Sequence, residues 1–355
     1  MERENLDAAI ERRRQMRARR RRLLYLRRAL ILLVAAVLLA LVIATPIWIV
    51  RGVRNHRRPD AGSQTDTKPT ATRPVAPPEP EDTIPAVNEQ TVTLGSQIMS
   101  EYAVLLDMTE DRVVAVKNPN AQANPASITK VMTLLVAVEN IPDLDAPYTM
   151  SWKIIDPPYR EGASTTGLET GETVTLRDLL YGCILPSGAD ATAALADYVA
   201  DHEVDYGEGD EATFAEMMNR KALELGAEHT HFTNSSGLHN MYHKTTAMDM
   251  ALIMAAAMAN PVCREVLSAR EYLIPPTPQH PEGLLQTSTM FKHIGSRYTC
   301  VQAGKTGYTD QALNTLATYT SINGHEYVFV SMFANGSDKA LEDAHTVYRE
   351  YCGWK

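Results

Sequence analysis

Residues 29–50 form an almost wholly apolar segment, ALILLVAAVLLALVIATPIWIV, between two arginine-rich stretches of a 355-residue chain. As an α-helix this segment would be about 33 Å long, which is close to the thickness of the hydrocarbon core of a bilayer. We therefore predict one N-terminal transmembrane helix at residues 29–50.

Arginine is distributed unevenly around this segment. Eleven arginines precede residue 29, and four follow within residues 51–58. The positive-inside tendency places the N-terminus in the cytoplasm and everything after Val50 outside the cell. The predicted location is the cell membrane, with a single pass through the lipid bilayer and the rest of the chain on the extracellular face.

A cleavable signal peptide is the alternative to an uncleaved anchor, with Val42-Ile43-Ala44 as its cleavage site. The long basic region before the apolar run and the continuation of that run to Val50 favour the uncleaved anchor. The body of the protein is exported under either interpretation.

The charge of the chain is as asymmetric as its hydropathy. Residues 1–58 contain 15 arginines and 4 acidic residues, and the remainder contains 19 basic and 39 acidic residues. An acidic body repels polyanions, so the composition excludes nucleic acid as a partner of the exported part.

No metal ion or other cofactor is predicted. The four cysteines are Cys183, Cys263, Cys300 and Cys352, and none is paired at the C-x-x-C spacing of a zinc site. Four histidines cluster near one turn, namely His229, His231, His239 and His243, and we interpret them as loop residues because no H-E-x-x-H pattern accompanies them. An even number of cysteines outside the cell allows one or two disulfides, but the spacing assigns no pair.

The chain divides into four predicted segments. Residues 1–28 are a basic cytoplasmic tail, and residues 29–50 are the transmembrane helix. Residues 51–86 are a proline-rich linker with almost no large apolar residue, which cannot bury enough surface to fold and acts as a spacer. Residues 87–355 are one globular domain.

Strand patterns stand at both ends of this domain, with helical patterns between them. The predicted strands are Tyr102–Asp107, Arg112–Lys117, Cys300–Lys305, Leu313–Thr320 and Tyr327–Phe333. The predicted helices are Ile128–Glu139, Leu176–Ile184, Ala189–Ala200, Ala212–Leu225, Thr246–Met258 and Leu341–Cys352. Asn323-Gly324 predicts a tight hairpin turn. The pattern indicates an α+β domain whose first and last segments share one antiparallel sheet.

Ser127 and Lys130 stand three residues apart at the start of an apolar helix, with Asn124 as its predicted N-cap and Pro125 as its first residue. Residues i and i+3 share a helix face, so the hydroxyl would lie beside the amine. Serine needs a base to become a nucleophile, and a buried lysine with a lowered pKa can be that base. Taken alone, the S-x-x-K spacing equally describes a surface serine and a solvated lysine.

Lys305-Thr306-Gly307 is the second motif, and Tyr308 follows it directly. A strand edge with a cation, a hydroxyl and a glycine can bind a peptide as an added strand. The lysine and the threonine can hold a carboxylate, and the glycine permits close approach. A polar turn is the simpler interpretation of the tripeptide alone.

Ser187 opens the third motif, Ser187-Gly188-Ala189, in a loop between two predicted helices. A hydroxyl there could pass a proton to a leaving amine. Ser187 or Asp190 could also cap the following helix, and the two roles are compatible.

The three motifs occur in the order S-x-x-K, S-x-N-like and K-T-G. With this order the chain resembles, from about Val87 to Tyr351, the D-alanyl-D-alanine carboxypeptidases of the low-molecular-weight penicillin-binding protein family. The motifs that carry the resemblance are Pro125-Ala126-Ser127-Ile128-Thr129-Lys130, Leu185-Pro186-Ser187-Gly188, Phe232-Thr233-Asn234 with Gly237-Leu238, Thr245-Thr246-Ala247-Met248-Asp249-Met250 and Gly304-Lys305-Thr306-Gly307-Tyr308-Thr309.

This resemblance implies a β-lactamase/DD-peptidase-like fold that binds peptidoglycan stem peptides and β-lactams. The implied catalytic residues are Ser127 as nucleophile, Lys130 as general base and Ser187 as proton relay. The implied substrate-binding residues are Lys305, Thr306, Gly307 and Tyr308. Backbone N–H groups of Ser127 and Tyr308 would form the oxyanion hole. The predicted function is a membrane-anchored serine carboxypeptidase that removes the terminal D-alanine through an acyl-enzyme on Ser127.

Two positions depart from the family pattern. Ala189 stands where most members have asparagine, and near the last helix only Lys339 could replace the usual arginine. A serine β-lactamase and a peptidoglycan-binding pseudoenzyme are therefore kept as alternatives. The β-lactamase alternative lacks a matching Glu-x-x-Leu-Asn pattern for deacylation, and Ala189 motivates the pseudoenzyme.

Overall fold

The structure is a computed structural model that describes residues 85–203, 210–295 and 298–355. The predicted tail, transmembrane helix and almost all of the linker lie outside these residues. Within the described part of the chain, no single helix is both long and apolar enough to cross a bilayer. The helices Ala247–Ala259 and Pro261–Ser268 are long and apolar enough only when they are taken together, and a bend of 104° separates them.

A six-stranded sheet forms one side of the domain. Its strands are β1 (Val92–Thr93), β2 (Tyr102–Asp107), β3 (Arg112–Lys117), β8 (Ala303–Thr309), β9 (Leu313–Ile322) and β10 (His325–Ala334). They lie in the order β1-β3-β2-β10-β9-β8, and all pairs are antiparallel except the short parallel pair of β1 with β3. The α+β class and the sharing of one sheet by the first and last segments are thus confirmed.

Among the described residues, eight α-helices and two short hairpins lie between β3 and β8 in the chain, and one α-helix follows β10. The helices are α1 (Lys130–Asn140), α2 (Trp152–Arg160), α3 (Leu176–Ile184), α4 (Ala189–Glu203), α5 (Glu211–Glu224), α6 (Ala247–Ala259), α7 (Pro261–Ser268), α8 (Thr289–Ile294) and α9 (Ser337–Tyr351). The hairpins pair β4 (Pro147–Thr149) with β5 (Thr173–Thr175), and β6 (Glu271–Ile274) with β7 (Leu284–Thr287).

Two hydrophobic cores pack against opposite faces of the sheet. Along β2, Val104 and Leu106 belong to the larger core, and Ala103 and Leu105 belong to the smaller one. Successive strand residues point to opposite faces, so a strand buried on both sides reads as continuously apolar. The larger core packs the helical region against the sheet, and the smaller one packs α8 and α9 against its other face.

The Asn-Gly hairpin turn is confirmed, because Asn323 and Gly324 have φ angles of 55° and 86° between the paired residues Ile322 and His325. These positive values fit the turn type that Asn-Gly favours. The predicted strand Cys300–Lys305 was placed too early. The strand begins at Ala303 and continues to Thr309, so the K-T-G motif lies inside it.

The predicted N-cap at Asn124 is wrong. Its side-chain oxygen accepts a hydrogen bond from Lys244 Nζ at 3.1 Å, and Pro125 precedes a 3₁₀ turn, Ala126–Thr129, that has no side-chain cap. The chain therefore enters α1 through a tighter helical turn, which carries Ser127.

Candidate active site

Ser127 lies in the 3₁₀ turn directly before α1. The turn is fastened to the sheet because Thr315 Oγ1, on β9, donates a hydrogen bond to the Pro125 carbonyl at 2.9 Å. In a 3₁₀ turn, residues i and i+3 eclipse one another. Lys130 Nζ accordingly lies 3.2 Å from Ser127 Oγ, within hydrogen-bond reach.

Lys130 is buried, with 2% of its surface exposed. Its ammonium also donates to the carbonyl oxygen of Ser236 at 2.6 Å. Burial lowers the pKa of Lys130 to about 8, and the nearby Cys183, Asp190 and Glu211 oppose part of that shift. A lysine with this pKa is substantially neutral near pH 8 and can accept a proton from the serine hydroxyl.

The Ser236 carbonyl is held by a loop that the Asn234 side chain closes. Asn234 Oδ1 accepts from the Gly237 N–H at 2.8 Å, and its Nδ2 donates to the Leu238 carbonyl at 3.0 Å. Gly237 has a φ of 81°, and a Cβ atom there would collide with the Ala126 carbonyl. Glycine therefore lets this loop press against the turn that carries the nucleophile.

Ser187 lies two residues before the start of α4. Its φ is 65°, a left-handed conformation that is uncommon outside glycine. Its Oγ is buried and has no hydrogen-bond partner among the described residues. Ser187 is therefore not the helix cap, and its hydroxyl remains available for a substrate.

Asp190 turns away from the nucleophile. Its carboxylate accepts from the Thr166 N–H at 3.0 Å, from Thr166 Oγ1 at 2.6 Å and from the Ala191 N–H at 2.9 Å. Burial raises the pKa of Asp190, and the hydrogen bonds from Thr166 oppose that shift. The capping interpretation fails for Ser187, and Asp190, the second residue of α4, bonds only the N–H of the adjacent Ala191 within its helix.

Strand β8 is an edge of the sheet, so one side of its backbone borders the cleft. Lys305 on this strand is 1% exposed, and its Nζ donates to the Thr306 carbonyl at 2.9 Å. Burial and the charge of Lys130 lower the pKa of Lys305 to about 7. Gly307 packs against the nucleophile turn, and Tyr308 is exposed, with its hydroxyl donating to Asp310 at 3.0 Å.

These elements enclose a cleft of about 400 Å³. The predicted site residues that line it are Ser127, Lys130, Ser187, Thr306, Gly307 and Tyr308. Lys305 does not line it, and its buried Nζ bonds to the Thr306 carbonyl instead. Lys339 does not line it either, and its side chain lies beside Gly336.

Ala189 lines this cleft and also a second cavity of about 600 Å³. The cleft and the second cavity are also both lined by Glu161, Ser236 and Leu238. Ala189 thus stands at the junction of two spaces.

Three further residues belong to the site but were not predicted as parts of it. Thr289 and His293 on α8 line the cleft, and Thr289 Oγ1 lies 3.4 Å from Thr306 Oγ1. His243 lies under the nucleophile turn, where its Nε2 is 2.9 Å from Thr129 Oγ1. The sequence offered little signal for them, since α8 is a single short turn and the histidines were interpreted as loop residues.

His243 is buried and neutral. Its Nδ1 accepts from the Thr233 N–H at 3.0 Å, so its Nε2 carries the hydrogen and donates to Thr129. Burial, together with the charges of neighbouring His231, His239, Lys130 and Lys244, lowers its pKa to about 3. Among the residues described, no group of three or more His, Cys, Asp or Glu side chains could hold a metal ion, and all four cysteines are free and buried.

Comparison with known proteins agrees with this geometry. A family model described as D-alanyl-D-alanine carboxypeptidase matches residues 87–336. D-alanyl-D-alanine carboxypeptidase DacF of Bacillus subtilis is 30% identical over 213 residues, which are 60% of this chain and 52% of that protein. DacB2 of Mycobacterium tuberculosis is 32% identical over 232 residues, which are 65% of this chain and 73% of that protein. The match thus spans about half the length of the Bacillus relative.

Two solved structures share the fold. The DD-transpeptidase of Streptomyces K15 superposes with a TM-score of 0.66 at 26% identity, over 72% of this chain and 98% of that one. The D-alanyl-D-alanine carboxypeptidase of Mycobacterium tuberculosis H37Rv superposes with a TM-score of 0.62 at 27% identity, over 72% of this chain and 92% of that one. By its motifs, its fold and the family model that covers most of the globular domain, the chain belongs to the D-alanyl-D-alanine carboxypeptidase family of serine peptidases.

Proposed function

We propose that this protein is a serine carboxypeptidase that removes the terminal D-alanine from peptidoglycan stem peptides ending in D-Ala-D-Ala. The observation that carries this proposal is the distance of 3.2 Å between Lys130 Nζ and Ser127 Oγ, in a cleft that the edge strand β8 borders. The substrate would lie along β8 as an added strand, which uses backbone hydrogen bonds and tolerates different stem peptides.

Acylation would begin when neutral Lys130 takes the hydroxyl proton of Ser127. The serine oxygen then attacks the carbonyl carbon of the penultimate D-alanine, and the N–H groups of Ser127 and Tyr308 would stabilise the oxyanion. The Lys130 ammonium would return its proton through the Ser187 hydroxyl to the nitrogen of the terminal D-alanine as the C–N bond breaks, which leaves Lys130 neutral. The terminal D-alanine leaves with a neutral amine, and the peptide remains bound to Ser127 as an ester.

Deacylation reverses these roles. Lys130, again neutral, would accept a proton from a water molecule that attacks the ester carbon. The C–O bond to Ser127 breaks, the serine regains its proton and the shortened peptide leaves with a new carboxylate.

A fluorescent penicillin tests the acyl-enzyme directly. We expect covalent labelling of the wild type and none of Ser127→Ala, together with slow release of the label. Labelling of both proteins would contradict Ser127 as nucleophile, and rapid turnover of the penicillin would favour a β-lactamase.

Release of D-alanine from a synthetic peptide ending in D-Ala-D-Ala tests hydrolysis. Binding of the peptide without release over long incubation would favour the pseudoenzyme that Ala189 motivates. Adding an amine acceptor separates hydrolysis from peptide transfer, the activity named for the Streptomyces protein.

We also propose that residues 29–50 anchor the enzyme in the cell membrane, with the N-terminus inside and the catalytic domain outside. The support is the length of the apolar segment and the arginine asymmetry around it. The full-length chain should resist extraction from membranes by alkaline carbonate, and a protease added outside the cell should release the catalytic domain. Recovery of a chain shortened at Ala44 would show cleavage instead.

A further inference from the structure

The carboxylate-binding end of the cleft is short of positive charge. A peptide that ends in D-alanine brings a carboxylate to the K-T-G strand, where the family resemblance implied Lys305 as its cation. The Lys305 ammonium is 1% exposed, donates to the Thr306 carbonyl and does not line the cleft. Lys339, the expected substitute for the family arginine, does not line the cleft either.

His293 stands where this charge is needed. On α8, Thr289 and His293 are four positions apart and therefore share a helix face. Both line the cleft, and Thr289 Oγ1 is 3.4 Å from Thr306 Oγ1. This relation brings the imidazole to the end of the cleft that is bordered by the two threonine hydroxyls.

The imidazole is exposed, and no hydrogen bond or ion pair ties it to any described residue. Of the described cleft-lining residues, only Lys130 and His293 can carry a positive charge, and Lys130 is committed to Ser127 and Ser236. An uncommitted imidazole beside two hydroxyls is a suitable donor set for a carboxylate, because hydrogen bonds from a charged donor to a carboxylate are stronger than neutral ones.

Other charged and titratable groups surround this position. Near α8 they include Lys292 on the same helix and Arg270, which lies over the Phe291 ring. On the packed elements they include Lys305 and Tyr308 of β8 and Asp338 and Lys339 of the first turn of α9, and across the cleft they include Lys130 and Glu161. Lys130 and Lys305 have pKa values lowered to about 8 and about 7, so neither is a permanent cation for a bound carboxylate.

We infer that His293, with the hydroxyls of Thr289 and Thr306, binds the C-terminal carboxylate of the peptide substrate. This inference rests on the proposed function. His293 would position the substrate and set its specificity for a free C-terminus, without taking part in bond making.

The test measures binding, so that it does not depend on turnover. The Ser127→Ala protein, with and without His293→Gln, is titrated with an amine-blocked tripeptide ending in D-Ala-D-Ala and with the C-terminal amide of the same peptide. We expect His293→Gln to raise the Kd of the free acid roughly tenfold at pH 6 and to leave the Kd of the amide unchanged. Lys292→Gln, a charge change on the same helix away from the cleft, should alter neither value.

A charge-retaining variant provides the second readout. The Kd of the free acid should stay near the wild-type value with His293→Arg, whose guanidinium can also donate to a carboxylate. An unchanged Kd of the acid in His293→Gln, or an equal loss for acid and amide, would overturn the inference. Failure of the wild type to release D-alanine would instead overturn the proposed function, and the binding result would remain valid for His293.

Discussion

A Cβ atom placed on Gly307 would lie 2.7 Å from the backbone nitrogen of Ser127. The same atom would lie 3.1 Å from the nitrogen of Ile128 and 2.5 Å from Thr315 Oγ1. The K-T-G strand therefore approaches the nucleophile turn backbone to backbone, in the place where the oxyanion hole is proposed.

Gly307→Ala should obstruct this hole. We expect the acylation rate to fall by roughly 10²–10³, the usual cost of losing one oxyanion donor. The measurement is the rate of labelling by a fluorescent penicillin. Gly324→Ala is the matched control, because its Cβ would meet nothing within 4 Å and it lies in the β9–β10 turn. It should affect stability alone, and a wild-type labelling rate in Gly307→Ala would contradict the placement of the hole.

Ser187→Ala should separate activity from stability. The Ser187 hydroxyl is buried without a partner, so its removal leaves no group newly unsatisfied and should not lower the melting temperature. Loss of a proton relay should reduce turnover by roughly 10²–10⁴. A melting temperature several degrees below wild type would show instead that the hydroxyl supports the loop.

The pH dependence of acylation should follow Lys130, whose pKa is lowered to about 8. Only the neutral amine accepts a proton, so the rate should rise with pH and reach half its maximum near pH 8. Glu211 is one of the charges that raise this pKa. Glu211→Gln should therefore move the half-maximum to lower pH while keeping an oxygen for the Ser235 N–H, which bonds to Glu211. A shift to higher pH, or full activity in Lys130→Ala, would mean that another group is the base.

His243 should make the domain less stable in acid. Its pKa is lowered to about 3, so between pH 6.5 and pH 3 the unfolded chain binds a proton that the folded protein does not. Stability is then fully present above pH 6.5 and is lost as the pH falls, by about 1.4 kcal/mol per unit. Gln at this position can accept from Thr233 and donate to Thr129 without titrating, so His243→Gln should flatten the decline of unfolding free energy between pH 6.5 and pH 5. Equal slopes for both proteins would contradict the buried neutral state.

The helix-spacing rule predicted the contact between Ser127 and Lys130, because it concerns residues three apart. The carbonyl that holds Lys130 comes from Ser236, which is distant in sequence, and any residue type can supply a carbonyl. The sequence also did not predict that the Lys305 side chain points inward, because its direction depends on which face of β8 is covered. Local geometry could thus be predicted from the sequence, whereas the surroundings of each charged group could be described only from the folded structure.

The strands and long helices were predictable because their apolar patterns are strong. Helix α2 was not, since Pro157 and Pro158 lie inside it and proline is disfavoured in a helix interior. The short β4–β5 and β6–β7 hairpins were missed as well, because three or four residues carry too little periodicity to be read.

Ala189 lines the cleft at the position where most family members have asparagine. We predict that Ala189→Asn raises the acylation rate, because it adds an amide at the junction of the cleft and the second cavity. A hydrogen bond to a charged group is worth about 1.5–3 kcal/mol, and each 1.36 kcal/mol is about tenfold in rate. The expected gain is therefore roughly tenfold to a hundredfold in penicillin labelling. Ala189→Leu fills similar space without an amide and should give no gain.

Asp190 is the competing candidate for the role of the missing amide, but both of its carboxylate oxygens accept hydrogen bonds from Thr166. Asp190→Ala should therefore lower the free energy of unfolding, by about 1–3 kcal/mol for the donors that it leaves unpaired. The opposite outcome would be an unchanged acylation rate in Ala189→Asn, together with an Asp190→Ala protein that keeps its stability but loses acylation. That result would show that Asp190 acts on the substrate and that the position of Ala189 needs no amide.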